Sequence, residues 1–388
     1  MAHFTNNKTR VKKLSISIFL FAFLFFATKT FGQYTKVDVT IHSRVDTTKK
    51  EIKDVAELWI NYLNSTPDSL YNNPHWNNYE KLKFKKFDFS IPYLYQFSSN
   101  QLLAYYKPTI LSIEKEGNYY GIRTIFLADE LQGEYRKSNP WCITKLYAIK
   151  ENNNWKLKNA MPIITENWTK NTLGKITFIY PPNHNFNEYL GKKAVLFCNE
   201  ISKEFNFPEI EPFDFYITNS GDELGKLLNF DFSFAGYTTG IGMNENRILL
   251  SGLGSEFYPH EFIHLIVPRK DRHWIIEEGF ATWKGGQDGK SFEESAIILA
   301  NEIALNQYVT FSDVLNKKWG WQYAAFYTTG AILCKAAYDK GGVILVKKLL
   351  ETPNDYDKLI QIICSVFEIE KNEIDNFWRK EVLKFKTK

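Results

Sequence analysis

The hydrophobic and polar positions of the chain change their periodicity along its length. Between Thr35 and about Pro162, the segment 49–63 has apolar residues every three or four positions, which predicts an amphipathic helix. Alternating apolar and polar residues follow, separated by turns rich in Gly and Asn, and they predict strands at 109–114, 119–127 and 141–150. This part of the chain, 33–165, is therefore expected to be an α+β domain.

After a polar segment at 166–172, interpreted as a linker, a second set of elements begins. Strands are predicted at 175–180 and 213–218, with an amphipathic helix at 186–205 between them. A hairpin with several glycines is predicted at 236–250. Beyond residue 283 the spacing is helical to the end of the chain, with predicted helices at 293–306, 311–315, 321–338, 343–350, 356–367 and 371–385.

The first 32 residues have the pattern of a secretory signal peptide. A basic segment at 8–13 precedes an apolar segment at 14–27 that is short for a membrane span. Small residues place the expected cleavage between Gly32 and Gln33, and an uncleaved N-terminal anchor is the alternative. The protein is therefore expected to be exported, periplasmic or secreted, without stable membrane insertion after cleavage.

The net charge of the chain depends on that segment. The whole sequence has a formal charge of +4, but residues 1–32 carry five basic residues and no acidic one. Removing those five positive charges leaves −1, so the mature chain is close to neutral. Such a chain is not expected to bind nucleic acid or an anionic membrane surface. Its remaining length is sufficient for two domains.

The four cysteines are widely spaced and form no C-x-x-C pair. A disulfide framework is therefore not implied, even for an exported protein. Cys334 and Cys364 both lie on apolar helical patterns, where buried thiols are expected. A single bridge between these two cysteines is the alternative.

The stretch 258–283 carries the strongest chemical signal. His260-Glu261-Phe262-Ile263-His264 is an H-E-x-x-H motif, which arises by chance in such a chain with a probability of roughly one in a hundred. Residues four apart share one face of a helix, so both imidazoles can bind one metal ion. Glu261 can reach over the same ion and accept a proton from water. An acidic residue of the next apolar segment, which contains Glu277 and Glu278, would complete the ligand set of a catalytic zinc site.

The segment 278–282, E-G-F-A-T, resembles the E-G-F-A-[ST] segment of the aminopeptidase N-like gluzincins, which are zinc metallopeptidases. The resemblance implies that Glu278 is the third ligand of a Zn²⁺ ion held by His260 and His264. Two features differ from those enzymes. Only thirteen residues separate His264 from Glu278, and Glu277 stands where Asn is usual. Both differences indicate the broader peptidase MA-like relatives rather than an aminopeptidase proper.

The resemblance also implies a fold and a second catalytic residue. The order strand, helix, strand, hairpin and metal helix resembles a thermolysin-like zincin domain, expected at 172–388 as a small antiparallel sheet with a helical C-terminal half. In these peptidases the sheet edge pairs with the substrate backbone. The segment 327–331, Y-T-T-G-A, resembles the Y-x-x-G-A helix start whose tyrosine donates to the oxyanion. Tyr327 is therefore the expected donor, and Tyr323 is the substitute candidate.

The first part of the chain resembles the nuclear transport factor 2-like cone. Its predicted helix is followed by a long-stranded meander that ends in an N-x-W-K-type segment at 154–157. Such cones serve as enzymes, binding modules and spacers, so this resemblance implies a fold but no function.

Three functions remain open. The first is an exported zinc peptidase that cuts within polypeptides, with Glu261 as general base and a peptide or protein as its partner. The second is an aminopeptidase, because the segment 242–246, G-M-N-E-N, resembles the G-A-M-E-N strand whose glutamate holds a free amine. That segment carries an extra residue, and a hairpin turn is its alternative interpretation. The third is a non-catalytic zinc-bearing scaffold, against which the presence of Glu261 argues.

Overall fold

The residues described in a computed structural model of the protein form an α+β fold with two sheets, which confirms the predicted class. The described ranges are 37–65, 73–90, 106–128, 139–234, 236–268, 271–320 and 324–387. The predicted signal peptide and its cleavage position lie outside these ranges.

The first sheet is built mainly from the first part of the chain. Its strands are ordered β1 (Thr40–Ile41), β2 (Lys107–Glu116), β3 (Tyr119–Leu127), β4 (Cys142–Glu151) and β5 (Asn154–Lys158). Neighbouring strands from β2 to β5 are antiparallel. Helix α1 (Lys50–Leu63) packs against them through Val55, Trp59 and Tyr62, which recur at helical spacing and are buried. The predicted helix and three strands are confirmed, whereas the short helices α2 (Asn78–Lys83) and α3 (Met161–Ile164) were not predicted.

The second sheet is mixed. Its strands are ordered β10 (Gly240–Met243), β11 (Ile248–Ser251), β8 (Phe213–Ile217), β7 (Ile176–Tyr180) and β6 (Thr169–Leu173). Strands β7, β8 and β11 run parallel, and the two edge strands are antiparallel to their neighbours. The expectation of a small antiparallel sheet is therefore wrong. Helix α4 (Glu188–Glu204) connects β7 to β8. A helical crossover of this kind allows the second strand to run in the same direction as the first.

The linker predicted at 166–172 is also partly wrong, because most of it belongs to strand β6. The side chains of this strand are exposed or half-buried, and its sequence, T-K-N-T-L, is mostly polar. A solvated edge strand carries little hydrophobic signal, so polarity alone could not distinguish it from a linker.

Strand β9 (Phe230–Ser233) connects the two parts of the molecule. It follows helix α5 (Gly221–Leu227) and pairs antiparallel with β4 of the first sheet. The side chain of Asn229 bonds to the side chain of Asn159 and to the backbone N–H of Ala160, at 2.8 Å in each case. Residues of both sheets contribute to one hydrophobic core here. The predicted domain boundary stays a prediction, but the two parts pack together.

The rest of the described chain is helical, as predicted. The helices are α6 (Pro259–Ile266), α7 (Trp274–Gly285), α8 (Phe292–Leu305), α9 (Phe311–Leu315), α10 (Ala325–Leu350), α11 (Tyr356–Phe367) and α12 (Ile374–Leu383). Gly341 and Gly342 have non-helical backbone angles inside α10, so the predicted break is present as a kink. Every helix in the described ranges is too short or too polar to cross a bilayer.

All four cysteines are free thiols. Cys142, Cys198 and Cys334 are buried, and Cys364 is half-buried. The alternative of a bridge between Cys334 and Cys364 is therefore wrong, and the expectation of thiols in or near the core is confirmed.

Helices α7 and α10 cross at two glycines. A Cβ atom on Gly279 would lie 2.2 Å from the carbonyl carbon of Gly330, and one on Gly330 would lie 1.9 Å from the carbonyl oxygen of Ile275. Only glycine fits at such a backbone-to-backbone contact in a close-packed interior. Glu278 immediately precedes Gly279, and Tyr327 lies about one turn before Gly330. The crossing therefore also sets the separation of two candidate site residues.

We expect Gly330→Ala to lower the free energy of unfolding by about 3 kcal/mol, the upper end of the usual range for overpacked sites. The added methyl group would meet the Ile275 backbone, which cannot move away without disturbing α7. Urea denaturation measures the change. Gly341→Ala on the same helix is the matched control, because its methyl group would meet only side-chain atoms of Leu345. Equal losses in the two variants would contradict this account of the crossing.

Candidate metal centre

Helix α6 buries its apolar face and leaves its histidines on the other side. Pro259 occupies the first turn, where a missing N–H breaks no helical hydrogen bond, and the helix ends at Ile266 ahead of Pro268. The apolar residues pack into the core: Phe262, Ile263, Leu265 and Ile266. His260 and Glu261 are each 9% exposed, so the motif lies at the base of a depression rather than on an open surface.

The carboxylate of Glu278 lies against both histidines. Its Oε2 atom is 3.3 Å from Nε2 of His260 and 3.6 Å from Nε2 of His264. One potential ligand atom from each of the three residues lies within 4.8 Å of the others, and no other such group occurs in the described ranges. The neighbouring Glu277 instead places Oε1 3.4 Å from Nδ1 of His264. The structure thus brings together His260, His264 and Glu278 and places Glu277 behind them.

The Nδ1 atom of each of the two histidines lies beside a hydrogen-bond acceptor. Nδ1 of His260 lies 2.7 Å from the carbonyl oxygen of Gly286, which can only accept, so this nitrogen carries a proton. Nδ1 of His264 faces the carboxylate of Glu277 in the same way. With a proton held on each Nδ1, each Nε2 is the nitrogen that a metal ion would bind in place of a proton, as in other metal-ligating histidines.

Glu277 is itself held by Arg272, a buried residue between α6 and α7. The guanidinium forms an ion pair with Glu277 and donates to the carbonyl oxygens of Leu350 and Pro268 at 2.5 and 3.1 Å. Because two of its three partners are backbone atoms, Arg272 holds the Glu277 carboxylate in one position. Hydrogen-bonded partners of this kind orient the ligands of protein metal sites.

Burial and neighbouring charges alter the pKa values of the centre. Burial alone would lower the pKa of His264, but the carboxylates of Glu278 and Glu277 raise it well above its usual value. Burial alone would raise the pKa of Glu278, but the two histidines hold it far below its usual value. The carboxylates therefore favour positive charge beside the two Nε2 atoms, which a divalent cation would supply.

The three donors open into a cleft with a volume of about 790 Å³. Its walls include strand β10, the start of α6, Tyr327 and the loop between α7 and α8. Two imidazole nitrogens and one carboxylate, with one side open to a cleft, fit a Zn²⁺ ion of the catalytic rather than the closed structural type.

Tyr327 lines the same cleft as the histidines. Burial, followed by the charges of Glu278 and Asp288, raises its pKa to about 12. The phenol therefore stays protonated at neutral pH and can donate a hydrogen bond. Its ring packs edge-to-face against Trp274 and Phe326, which hold it in place. The substitute candidate, Tyr323, lies outside the described residues.

The hairpin segment 242–246 does not present its glutamate to the cleft. Gly242 and Asn244 line the cleft, whereas Glu245 forms an ion pair with Lys86 at 3.4 Å. Gly242 lies beside Glu261, since a Cβ atom on this glycine would be 3.8 Å from Oε2 of that carboxylate. The residue expected to hold a free amine in the aminopeptidase alternative is thus engaged with another part of the chain.

No family model matches the chain, and a search of curated proteins finds no match. The interpretation of the site therefore depends on its own geometry. Two of its residues, Arg272 and Gly286, were not identified from the sequence. Arg272 ends a charged run typical of a solvated loop, and Gly286 contributes only a backbone oxygen. A single sequence carries no signal for either role.

We expect Glu278→Gln to remove most of the zinc affinity, because this carboxylate faces both Nε2 atoms. Glu277→Gln should weaken zinc binding by about ten- to a hundredfold, since Glu277 acts only through His264. Competition with a chromophoric chelator measures both affinities. Glu293→Gln is the control, because Glu293 lines the cleft but lies outside the donor group. Unchanged zinc affinity in Glu278→Gln, with a large loss in Glu277→Gln, would exchange the two roles.

Proposed function

We propose that the protein is a zinc-dependent peptidase of the gluzincin type, similar to the peptidase MA-like relatives of the aminopeptidase N family. The observation that carries the proposal is the placement of His260, His264 and Glu278 around one point, with Glu261 in the same cleft. An open three-ligand set with a carboxylate beside it is the arrangement that metal-assisted hydrolysis requires.

Glu261 acts as the general base. A bound Zn²⁺ ion would polarise the scissile carbonyl and lower the pKa of a water molecule. Glu261 accepts the proton of the attacking water and passes it to the leaving amine. Burial raises the pKa of Glu261, which suits a group that must both take up and release a proton near neutral pH.

Tyr327 donates a hydrogen bond to the developing oxyanion. Its raised pKa keeps the proton on the phenol, and its packed ring limits the positions that the hydroxyl can take. A donor that is already oriented costs no reorganisation when charge develops, which is why such groups accelerate acyl transfer. The crossing at Gly279 and Gly330 holds this donor near the Glu278 ligand.

The proposed substrate is a peptide that lies in the cleft beside strand β10. Among the described residues this strand pairs with β11 alone, and residues 238–242 line the cleft. An extended peptide can add to such an edge as a further strand. The ion pair of Glu245 with Lys86 favours cleavage within polypeptides over the aminopeptidase alternative. The position of Glu261 in the cleft favours catalysis over a zinc-bearing scaffold.

The finer fold assignment and the location of the protein belong to the same proposal. Residues 172–388 are proposed to be a thermolysin-like zincin domain that holds one Zn²⁺ ion. Residues 33–165 are proposed to be a nuclear transport factor 2-like cone, which the succession of α1 and the antiparallel strands β2 to β5 supports. The signal-like segment 1–32 supports export to a periplasm or out of the cell.

An unbiased peptide mixture with free and blocked N-termini tests the reaction, and a chelator tests its metal dependence. We expect cleavage of both classes of peptide and loss of cleavage with the chelator. Glu261→Gln should retain its zinc but lose at least about a hundredfold in turnover, because only the proton acceptor is removed. Glu245→Gln is the matched control outside the cleft.

Full activity or zinc loss in Glu261→Gln would refute the role of this residue. Cleavage restricted to free N-termini would support the aminopeptidase alternative. No cleavage by the zinc-loaded protein would leave the scaffold alternative.

We also expect Tyr327→Phe to reduce kcat by about a hundred- to a thousandfold, the usual loss for one oxyanion donor. The KM should change little, because the interaction forms mainly in the transition state. Steady-state kinetics on one cleaved peptide measures both constants. Tyr258→Phe is the matched control, since Tyr258 lines the cleft but its hydroxyl already contacts Thr239 at 3.1 Å. A larger loss in Tyr258→Phe or in Tyr323→Phe would move the donor to that tyrosine.

A further inference from the structure

The loop between α7 and α8 is a tight hairpin turn that carries one aspartate at its tip. Backbone hydrogen bonds join Gln287 and Lys290 in both directions, at 2.9 and 2.8 Å. The two residues between them, Asp288 and Gly289, have φ values of 49° and 76°. Two consecutive positive φ values are typical of a type I′ turn, for which Asp-Gly and Asn-Gly are favoured sequences. The position of Asp288 is therefore defined by regular turn geometry.

This turn is attached directly to the metal centre. The carbonyl oxygen of Gly286 accepts the hydrogen bond from Nδ1 of His260 at 2.7 Å, and the Gly286 N–H donates to Thr282 of α7 at 2.9 Å. The hydroxyl of Thr282, which is fully buried, donates to the side chain of Gln287 at 3.1 Å. These hydrogen bonds connect the turn to His260 and to α7.

Asp288 belongs to the wall of the cleft that also contains two tyrosines. Asp288 lines the cleft together with the metal donors, Tyr258 and Tyr327. Because Gly286 of the same loop bonds to His260, the turn brings the exposed Asp288 side chain into the wall of the cleft that contains the donor group.

The Asp288 carboxylate has no cationic partner in the described part of the chain. Its hydrogen bond there comes from the Gln287 side chain, at 3.5 Å. Lys284, which also lines the cleft, pairs with Glu204 at 2.8 Å and lies over the Trp283 ring. Within the described ranges the Asp288 carboxylate therefore forms no ion pair, so it is accessible to a cationic ligand.

We propose that Asp288 binds a cationic group of the substrate, an ammonium or guanidinium, within the cleft. This inference rests on the proposed peptidase function and adds a preference for positively charged substrates. The cation can belong to a Lys or Arg side chain or to the α-amine of the peptide. The chemistry of recognition is the same in both cases, an ion pair with Asp288 inside a partly enclosed cleft.

Amino-acid hydroxamates test the preference, because the hydroxamate binds zinc and is not a peptide bond that the enzyme can cleave. N-acetyl-lysine hydroxamate and N-acetyl-norleucine hydroxamate differ in side-chain charge at nearly equal length. Norleucine hydroxamate with a free amine, compared with its N-acetyl form, isolates the α-amine. We expect the zinc-loaded protein to bind at least one cationic ligand about five- to tenfold more tightly than its neutral counterpart.

Asp288→Asn should abolish that preference while leaving the affinity for N-acetyl-norleucine hydroxamate unchanged. Asn-Gly favours the same turn, so the variant keeps the loop conformation. Glu293→Gln, a second carboxylate of the cleft lining, is the matched control and should retain the preference.

Equal binding of cationic and neutral hydroxamates by the unaltered protein would overturn the inference and leave the peptidase proposal standing. Retention of the preference in Asp288→Asn would do the same. Failure of every hydroxamate to bind the zinc-loaded protein would overturn both proposals. Calorimetric titration distinguishes these results.

Discussion

The close contact between Gly279 and Gly330 is the constraint on which the candidate site depends. A side chain at either position would separate α7 from α10, because the added carbon would overlap backbone atoms. Gly285 allows a similar approach at the other end of α7, where a Cβ atom would lie 2.4 Å from the backbone nitrogen of His260. The backbone of α7 therefore lies in direct contact with the backbones of α6 and α10. Because these helices are so close, the proposed ligand and donor side chains line one cleft.

Residues outside the H-E-x-x-H motif orient its two histidines. Arg272 holds Glu277 against one imidazole, and the carbonyl oxygen of Gly286 accepts from the other. Arg272 and Gly286 flank α7, and Glu277 belongs to it. The helix that supplies Glu278 therefore also positions the groups that set the histidine tautomers. This coupling explains why the centre needs the loops on both sides of α7 as well as the helix itself.

Four carboxylates surround the centre, and their environments assign them different roles. Glu278 lies against two imidazoles, and its strongly lowered pKa suits the anionic ligand that we propose at this position. Glu277 is neutralised by Arg272, whereas burial raises the pKa of Glu261 and suits it to proton transfer. Asp288 is exposed in the cleft wall, on a turn with two consecutive positive φ values. Environment rather than residue type distinguishes these groups, as in other sites that separate acid, base and ligand functions.

Local sequence patterns alone determined the metal helix, the helical C-terminal half and most strands, because periodicity, glycine and proline act over a few residues. Tertiary packing distinguished Glu277 from Glu278, since neighbouring helix positions point about 100° apart and only the packing of α7 decides which carboxylate faces the two Nε2 atoms. It also decided that β7 and β8 run parallel. It further decided that the polar segment 169–173 forms the edge strand β6, whose side chains carry little hydrophobic pattern. The burial of Arg272 and the orientation of Asp288 depend on contacts between distant segments, which local pattern does not encode.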